Sequence, residues 1–330
     1  MHSTSHIGIV GFGSIGKRHL RIVKKYFPEI EVTLIRRKSH SYNSDQLCAD
    51  NVVYSLDKAV DLGIQAAIIA SPATLHIDQS VQLAKSGIHL LVEKPLSVDL
   101  SQTDSLLEVV SMNQLTVLIG YVLRFEPSAG IFKKMLKDDS IGKILHVRVE
   151  CSSYLPDWRP GQDYRDTVSA REELGGGVLN ELSHEFDYIS WLFGKPLTVY
   201  AKLHNSGILN VKVEESATLI ITTDQHFPIS VHLSFNSFHS ARKCVVETTK
   251  GKITWDLLEQ TIISRLDSES APPQKCKTDR DNLFRLQFLH FLECIENGIN
   301  PSVSINDAVE TVKLILASKE SHRTGKQVII

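Results

Sequence analysis

Cysteine is scarce and scattered in this 330-residue chain: Cys48, Cys151, Cys244, Cys276 and Cys294 are an odd number with no Cys-x-x-Cys pair. That excludes a disulfide framework and fits reduced thiols in a cytosolic protein. No apolar run approaches the roughly 18 residues needed to cross a bilayer. The opening Met1-His2-Ser3-Thr4-Ser5-His6 lacks the basic and apolar regions of a signal peptide. A cytoplasmic protein with no membrane partner is therefore expected. An excess of either charge is missing too, since 36 basic side chains stand against 38 acidic ones, for a net charge of −2. Without a dense Lys/Arg stretch the chain is not expected to follow a phosphate backbone, so no nucleic-acid partner is expected. Internal repeats and low-complexity tracts are also absent.

What remains is an ordinary globular composition, 42% hydrophobic and 22% charged. A chain this long suggests about two domains. It buries roughly three quarters of its unfolded surface, so its core needs no disulfide or metal. Over residues 1–120, apolar runs at Ile7–Val10, Val32–Ile35, Ala66–Ala70, His89–Val92 and Thr116–Ile119 alternate with helical spacing at Ile15–Tyr26, Ala73–Lys85 and Leu100–Val110. This alternation predicts an α/β, doubly wound parallel sheet. Beyond Gly120, longer strands with alternating burial (Lys143–Glu150, Glu215–Thr223, Ile229–Phe235) predict an α+β domain over 121–330 with an open, largely antiparallel sheet. The polar stretch Asp267–Asp281 reads as a loop, and Leu283–Ile295 and Asn306–Ser318 as closing helices.

Gly11-Phe12-Gly13-Ser14-Ile15-Gly16 follows the first strand and opens a helix, which is the setting in which G-x-G-x-x-G binds a dinucleotide pyrophosphate. Where an NAD site places an acidic residue, about 20 residues further on, stand Arg36, Arg37 and Lys38. Guanidinium groups suit a 2′-phosphate, so NADP is expected as the preferred cofactor, with NAD the alternative. Ser71, Pro72 and His76 follow the next strand and Glu93-Lys94-Pro95 ends the one after, at the sheet edge where such folds bind ligands. There Lys94 could carry a proton to or from a substrate oxygen; the plain alternative is a surface lysine paired with Glu93. Gly175-Gly176-Gly177 leads a segment expected to be one helix to about Phe193, on which Glu181 and His184, three apart, would share a face. One Glu-x-x-His without further glutamates does not make a di-iron site, and no metal is expected.

Taken in order, the glycine turn, Glu93-Lys94-Pro95, Gly120-Tyr121 with Arg124-Phe125, and the glycine-led acidic/His segment resemble the Gfo/Idh/MocA family of sugar oxidoreductases over nearly the whole chain. The resemblance implies a nicotinamide-dependent oxidoreductase acting on a CH–OH group of a sugar or sugar derivative. It also implies a C-terminal domain that binds substrate and makes a homodimer or homotetramer, with the last helix packing back on the Rossmann domain. It carries Lys94 over as the catalytic lysine, His184 as its assistant in proton transfer and Glu181 as the acidic residue, with Tyr121, Arg124 and Asn180 toward the substrate. Many members space the acidic residue and the histidine by four, and the division of labour between Glu181 and His184 stays open. The stretch from Tyr154 through Trp158, Arg159, Tyr164 and Arg165 to Ser169-Ala170 resembles a branch associated with surface-polysaccharide and acylamino-sugar synthesis. Its aromatics and arginines suit a sugar bearing a carboxylate or phosphate, although a loop packed by its own Trp and Tyr is as good an account of any one of them. Two other outcomes fit the same resemblance: an NAD-dependent glycosidase, and a cofactor-sensing regulator without activity.

Overall fold

The computed structural model describes residues 4–36, 48–267, 269–270 and 272–330. It divides into two units: Met1–Phe125 with Asp279–Val309, and Glu126–Thr278 with Glu310–Ile330.

In the first unit, β1 (His6–Val10), β2 (Glu31–Ile35), β3 (Asn51–Val53), β4 (Ala66–Ile69), β5 (His89–Val92) and β6 (Val117–Ile119) form one sheet in the order β3-β2-β1-β4-β5-β6. Every neighbouring pair is parallel. The crossovers carry helices α1 (Ser14–Tyr26), α2 (Leu56–Asp61), α3 (His76–Lys85) and α4 (Thr103–Met112). Burial on both faces explains the unbroken apolar runs of β1 and β4. His6 is tolerated inside β1 because its Nε2 meets the Thr33 hydroxyl at 2.7 Å. Strand order reverses direction between β1 and β4, and at such a switch point the strand ends leave a crevice for ligands. The sequence pattern does not announce β3 and α2, which are short and carry one fully buried residue between them, Ala59.

The second unit opens with α5 (Pro127–Leu136) and β7 (Ile144–Tyr154), then α6 (Val178–Glu181) and α7 (His184–Phe193). The strands β8 (Pro196–His204), β9 (Ser216–Thr223), β10 (Pro228–Ser234), β11 (Asn236–Thr248), β12 (Gly251–Asp256) and β13 (Thr261–Leu266) follow. Two short strands, β14 (Glu269–Ser270) and β15 (Gln274–Lys275), fall inside the stretch expected to be a plain loop. With the C-terminal β16 (Val328–Ile329) they make one ten-stranded sheet, antiparallel except where β10 runs parallel to β7. Alternate residues of β9 and β10 are buried, as one covered face requires. On that face Trp255 is fully buried, 5.3 Å from the Phe132 ring of α5 and 5.4 Å from the Tyr188 ring of α7.

The region 121–330 is not one continuous domain, because Asp279–Val309 returns to the first unit. The helix that returns is α8 (Arg280–Asn297) rather than the last one; α9 (Ile305–Thr324) begins in the first unit and lies mostly in the second. The physical reason is a second apolar stripe on α1. Ile22, with Ile15 beside it, forms a cluster with Val122, Leu283 and Phe284. Phe284 also meets the His19 ring edge-on at 5.4 Å, and the Arg18 guanidinium lies 5.2 Å from its centroid. Replacing Phe284, 3% exposed, by alanine is expected to cost about 3–5 kcal/mol, whereas Phe238→Ala, 72% exposed, should cost about 0.5 kcal/mol or less. Urea unfolding of the two variants checks this; equal midpoints would remove α8 from the packing of the first unit.

Candidate active site

Each unit carries part of the candidate chemistry. In the first, Gly11 closes the turn after β1 at φ +97°, a conformation that side chains rarely adopt, and a Cβ there would meet the Ala70 carbonyl oxygen at 2.7 Å. A Cβ on Gly16 would lie 2.2 Å from the Gly11 oxygen, so α1 sits directly on the turn. Gly13 differs, since a Cβ there would meet nothing within 4 Å. Gly13 is also the N-cap of α1, which has no side-chain cap and no acidic residue in its first turn. Open space in front of uncapped N–H groups suits a pyrophosphate, and the residues present therefore fit a dinucleotide. Phe12 carries cations on its ring, Lys17 Nζ at 5.2 Å and the Arg36 guanidinium at 5.9 Å from the centroid. Arg36 follows β2 directly. Arg37 and Lys38 lie outside the described residues.

At the end of β5, Glu93 is 5% exposed. Its Oε1 lies 2.7 Å from Nε2 of His19 on α1, and its Oε2 accepts from the Lys94 amide at 3.3 Å. Glu93 thus holds the turn to the cofactor helix instead of facing a ligand, while Lys94 is half-buried. The Ser71 hydroxyl donates to Gln79 at 2.6 Å. His76 was expected to touch cofactor, but it is 1% exposed and both ring nitrogens lie on backbone carbonyls, of Ser71 at 2.8 Å and of Pro95 at 2.9 Å. Tyr121 is wholly buried. Arg124, expected toward substrate, is a tie within the first unit: its Nη1 donates to the Ser302 carbonyl at 2.8 Å and its Nη2 is 3.6 Å from Asp307.

In the second unit the helix expected through Phe193 breaks. α6 ends at Glu181, Leu182 and Ser183 form a turn, and α7 starts at His184, so Glu181 and His184 lie on separate helices and the shared-face geometry does not apply. The break is built by close packing. A Cβ on Gly176 would come within 2.4 Å of the Val168 oxygen, and the Gly177 amide donates to the Ser169 carbonyl at 3.0 Å. Ser169 in turn donates from its hydroxyl to Glu181 Oε2 at 3.1 Å. Asn180, expected toward substrate, closes the glycine run, its Nδ2 donating to the Gly175 oxygen at 3.1 Å; its Oδ1 is buried with no partner among the described residues. His184 begins α7, whose first turn is pinned to β11 by the buried Glu185. Its Oε1 accepts from Arg242 Nε at 2.9 Å and from Nη2 at 2.5 Å. Burial, with Glu185 nearby, pushes the Cys151 thiol beside this pair up to about 12, so it stays protonated and inert.

The 154–165 stretch divides. The Tyr154 ring packs on Phe238 at 4.6 Å, and Trp158 lies edge-on to Phe235 at 5.2 Å while its Nε1 donates to Ser153 at 2.9 Å. These two rings pack the loop onto Phe235 and onto β11. The Tyr164 hydroxyl donates to the Leu209 carbonyl at 2.8 Å. Next to it in sequence, Arg165 lines a cavity of about 490 Å³ together with Ala170, Arg171, Glu172, Glu173, Asn210, Val211 and Lys212. Arg165 grips Asp163 through two nitrogens and holds that carboxyl down to about 2, and Arg171 pairs with Glu173. Arg159 is half-buried.

Two positioning residues escape sequence reasoning. His19 is a polar residue on the buried stripe of α1, and that misplacement in the helical pattern is its only signal. Glu214 belongs to the acidic pair before β9. Its carbonyl accepts from the Val178 amide and its Oε1 from the Leu179 amide, both at 3.2 Å, so it caps α6 from outside the helix. Burial pushes its carboxyl above the ordinary range, against the opposing pull of Lys319 and the Leu179 amide.

Comparison with known proteins identifies the family and the fold. Residues 5–121 match the oxidoreductase family model described as an NAD-binding Rossmann fold, and residues 131–254 match the GFO/IDH/MocA C-terminal domain. The chain is 26% identical to the scyllo-inositol 2-dehydrogenase (NAD(+)) of Bacillus subtilis, over 81% of this chain and 78% of that one. It is 23% identical to the inositol 2-dehydrogenase of Rhizobium meliloti over 99% of both. With an uncharacterized oxidoreductase of Synechocystis it shares 24% identity, over 69% of this chain and 65% of that protein's length. Among solved structures, a levoglucosan dehydrogenase in complex with NADH superposes with a TM-score of 0.87 at 18% identity, covering 99% of each chain. The WlbA dehydrogenase of Bordetella pertussis, in complex with NADH and UDP-GlcNAcA, does so with a TM-score of 0.84 at 17% identity, covering 100% of this chain and 99% of that one.

Gly13→Ala puts a methyl group into open space at an ordinary backbone angle (φ −74°). Its melting temperature is expected to stay within about 2 °C of the parent, while the dissociation constant for a nicotinamide dinucleotide rises about tenfold or more, equivalent to roughly 1.4 kcal/mol. Cofactor titration beside thermal unfolding checks both; unchanged affinity would move the pyrophosphate away from this turn.

Proposed function

The chain belongs to the Gfo/Idh/MocA family, and from that premise we propose that it oxidises or reduces one CH–OH carbon of a sugar or polyol, with Lys94 Nζ taking or giving the hydroxyl proton. The observation that carries this is the placement of the open glycine turn and the Glu93-Lys94-Pro95 turn at the carboxyl ends of β1 and β5 in one parallel sheet. The nicotinamide, when bound, supplies the hydride acceptor or donor. Lys94 suits proton transfer because its ammonium is a mobile donor on a turn fixed by Glu93 and His19. His184, at the start of a helix pinned by Glu185 and Arg242, would assist at the substrate oxygen, and Glu181, held by Ser169, would hydrogen-bond a neighbouring hydroxyl. The likeness of the 154–170 stretch favours a sugar bearing a carboxylate or phosphate, although two arginines of the neighbouring cavity are already committed, Arg165 to Asp163 and Arg171 to Glu173. A homodimer or homotetramer in the cytoplasm completes the reading.

Screening myo-inositol, levoglucosan and UDP-linked acetamido sugars while following nicotinamide absorbance tests it. A net change supports the dehydrogenase. Product without net change would turn the assignment to a glycosidase, and neither would turn it to a sensor. Lys94→Met is expected to lower kcat by two to four orders of magnitude, the usual worth of a general acid–base group, with cofactor affinity intact. Equal turnover would take Lys94 out of the chemistry.

NADP is the cofactor we assign, on the strength of Arg36. It stands where a carboxylate would bind the ribose 2′-hydroxyl, and its guanidinium leans on Phe12 of the glycine turn. Arg36→Asp should reverse the ratio of NADPH to NADH dissociation constants, by tenfold or more if a charge-assisted contact of about 1.5–3 kcal/mol is lost. A ratio that does not move would leave the basic turn as mere solvated charge.

A further inference from the structure

His76 opens α3 with its ring turned inward, 1% exposed. Its Nε2 lies 2.8 Å from the Ser71 oxygen, just past β4, and its Nδ1 lies 2.9 Å from the Pro95 oxygen, just past β5. Both partners are carbonyls and can only accept, whereas a neutral imidazole has one N–H to give. The neutral ring therefore makes one of these bonds and sets a lone pair against the other carbonyl; the imidazolium makes both.

We propose that His76 is the positioning residue for Lys94: its ring ties the Glu-Lys-Pro turn to the turn after β4, and its proton count decides whether one turn or both are held. This rests on the role given to Lys94 above. The charged groups that face the ring are Glu93 and Lys94, both on the β5 turn. Burial lowers the imidazole's proton affinity, the two carbonyls and Glu93 oppose burial, and the Lys94 ammonium works with it. The neutral ring is thus the ground state near neutral pH. When Lys94 gives up its proton, the charge disfavouring a second proton on His76 disappears, and the second bond becomes easier to form. Proton loss at the amine and a firmer hold on its own turn are coupled through one buried ring.

Two measurements test this. With ¹⁵N-labelled histidine, the His76 signals are identified by their loss in His76→Gln. Their titration midpoint in wild type should lie below that of an exposed histidine, and should rise by about half a unit or more in Lys94→Met, where the neighbouring ammonium is gone. An unmoved midpoint would overturn the coupling. The second is kinetic, on the sugar turned over in the screen above. His76→Leu should lower kcat at least tenfold and move the pH profile of kcat, while the NADPH dissociation constant stays within threefold. His76→Gln, whose amide donates without titrating, should recover most of kcat. If both variants only reduce the folded fraction and leave the pH profile of the folded enzyme as it was, His76 is structural and the inference fails. The NMR measurement needs no turnover, so a chain that oxidises no sugar would sink the dehydrogenase assignment and still leave this inference decided.

Discussion

Glu93 sits at the end of β5 with 5% of its surface exposed, and a carboxylate so placed costs roughly 1–3 kcal/mol or more unless it is hydrogen-bonded. The chain meets that demand with His19, from the buried stripe of α1, at 2.7 Å, and with the amide of Lys94 itself. One contact therefore fixes three things: where α1 lies on the sheet, how the turn after β5 is folded, and where the amine of Lys94 begins. Gly120 enforces the arrangement from the other side, because a Cβ there would stand 3.0 Å from the Glu93 backbone and carboxylate. The helix that follows the glycine turn and the turn that carries Lys94 are thus tied into one corner.

Much of this half is legible in the residue order. Unbroken apolar runs report strands covered on both faces, and the glycines at 11 and 16 report a turn that must approach Ala70 and itself, with Gly13 facing open space. The sequence is less informative about which polar side chains stay available. Arg124, His76, Asn180 and Tyr164 are the residue types that bind sugars or nucleotides, yet each directs polar atoms at a backbone carbonyl of its own unit. Carbonyls outside helices and strands need donors when buried, and a donor's nearest acceptor is set by tertiary packing that spacing does not encode. The same holds for the break at Leu182 and Ser183. Periodicity predicts an uninterrupted helix, but the packing of the glycine run on residues 168–171 and the cap from Glu214 stop α6 after four residues.

The second unit follows a matching logic with different parts. Its two short helices are each tied from outside their own backbone, α6 by Glu214 and α7 by Glu185 to Arg242. Those ties are acidic side chains used for placement, while Glu181 and His184 are partly exposed. A pair that looks like one helical face in the residue order is better understood as two side chains on separately anchored helices, so the family's four-residue spacing and this chain's three-residue spacing need not imply different geometry around a substrate.

The return of Asp279–Val309 to the first unit has a consequence for how the molecule is made. When Phe125 leaves the ribosome, the apolar cluster of Ile22 on α1 and Val122 after β6 still lacks Leu283 and Phe284, and all of Glu126–Thr278 must be synthesised before they arrive. At the usual pace of translation that interval is on the order of ten seconds, during which the nascent nucleotide-binding half carries an uncovered greasy flank exposed to chaperones. A gene fragment cut after residue 125 would inherit that flank permanently, so a free-standing version of this half would have to be spliced from both of its segments.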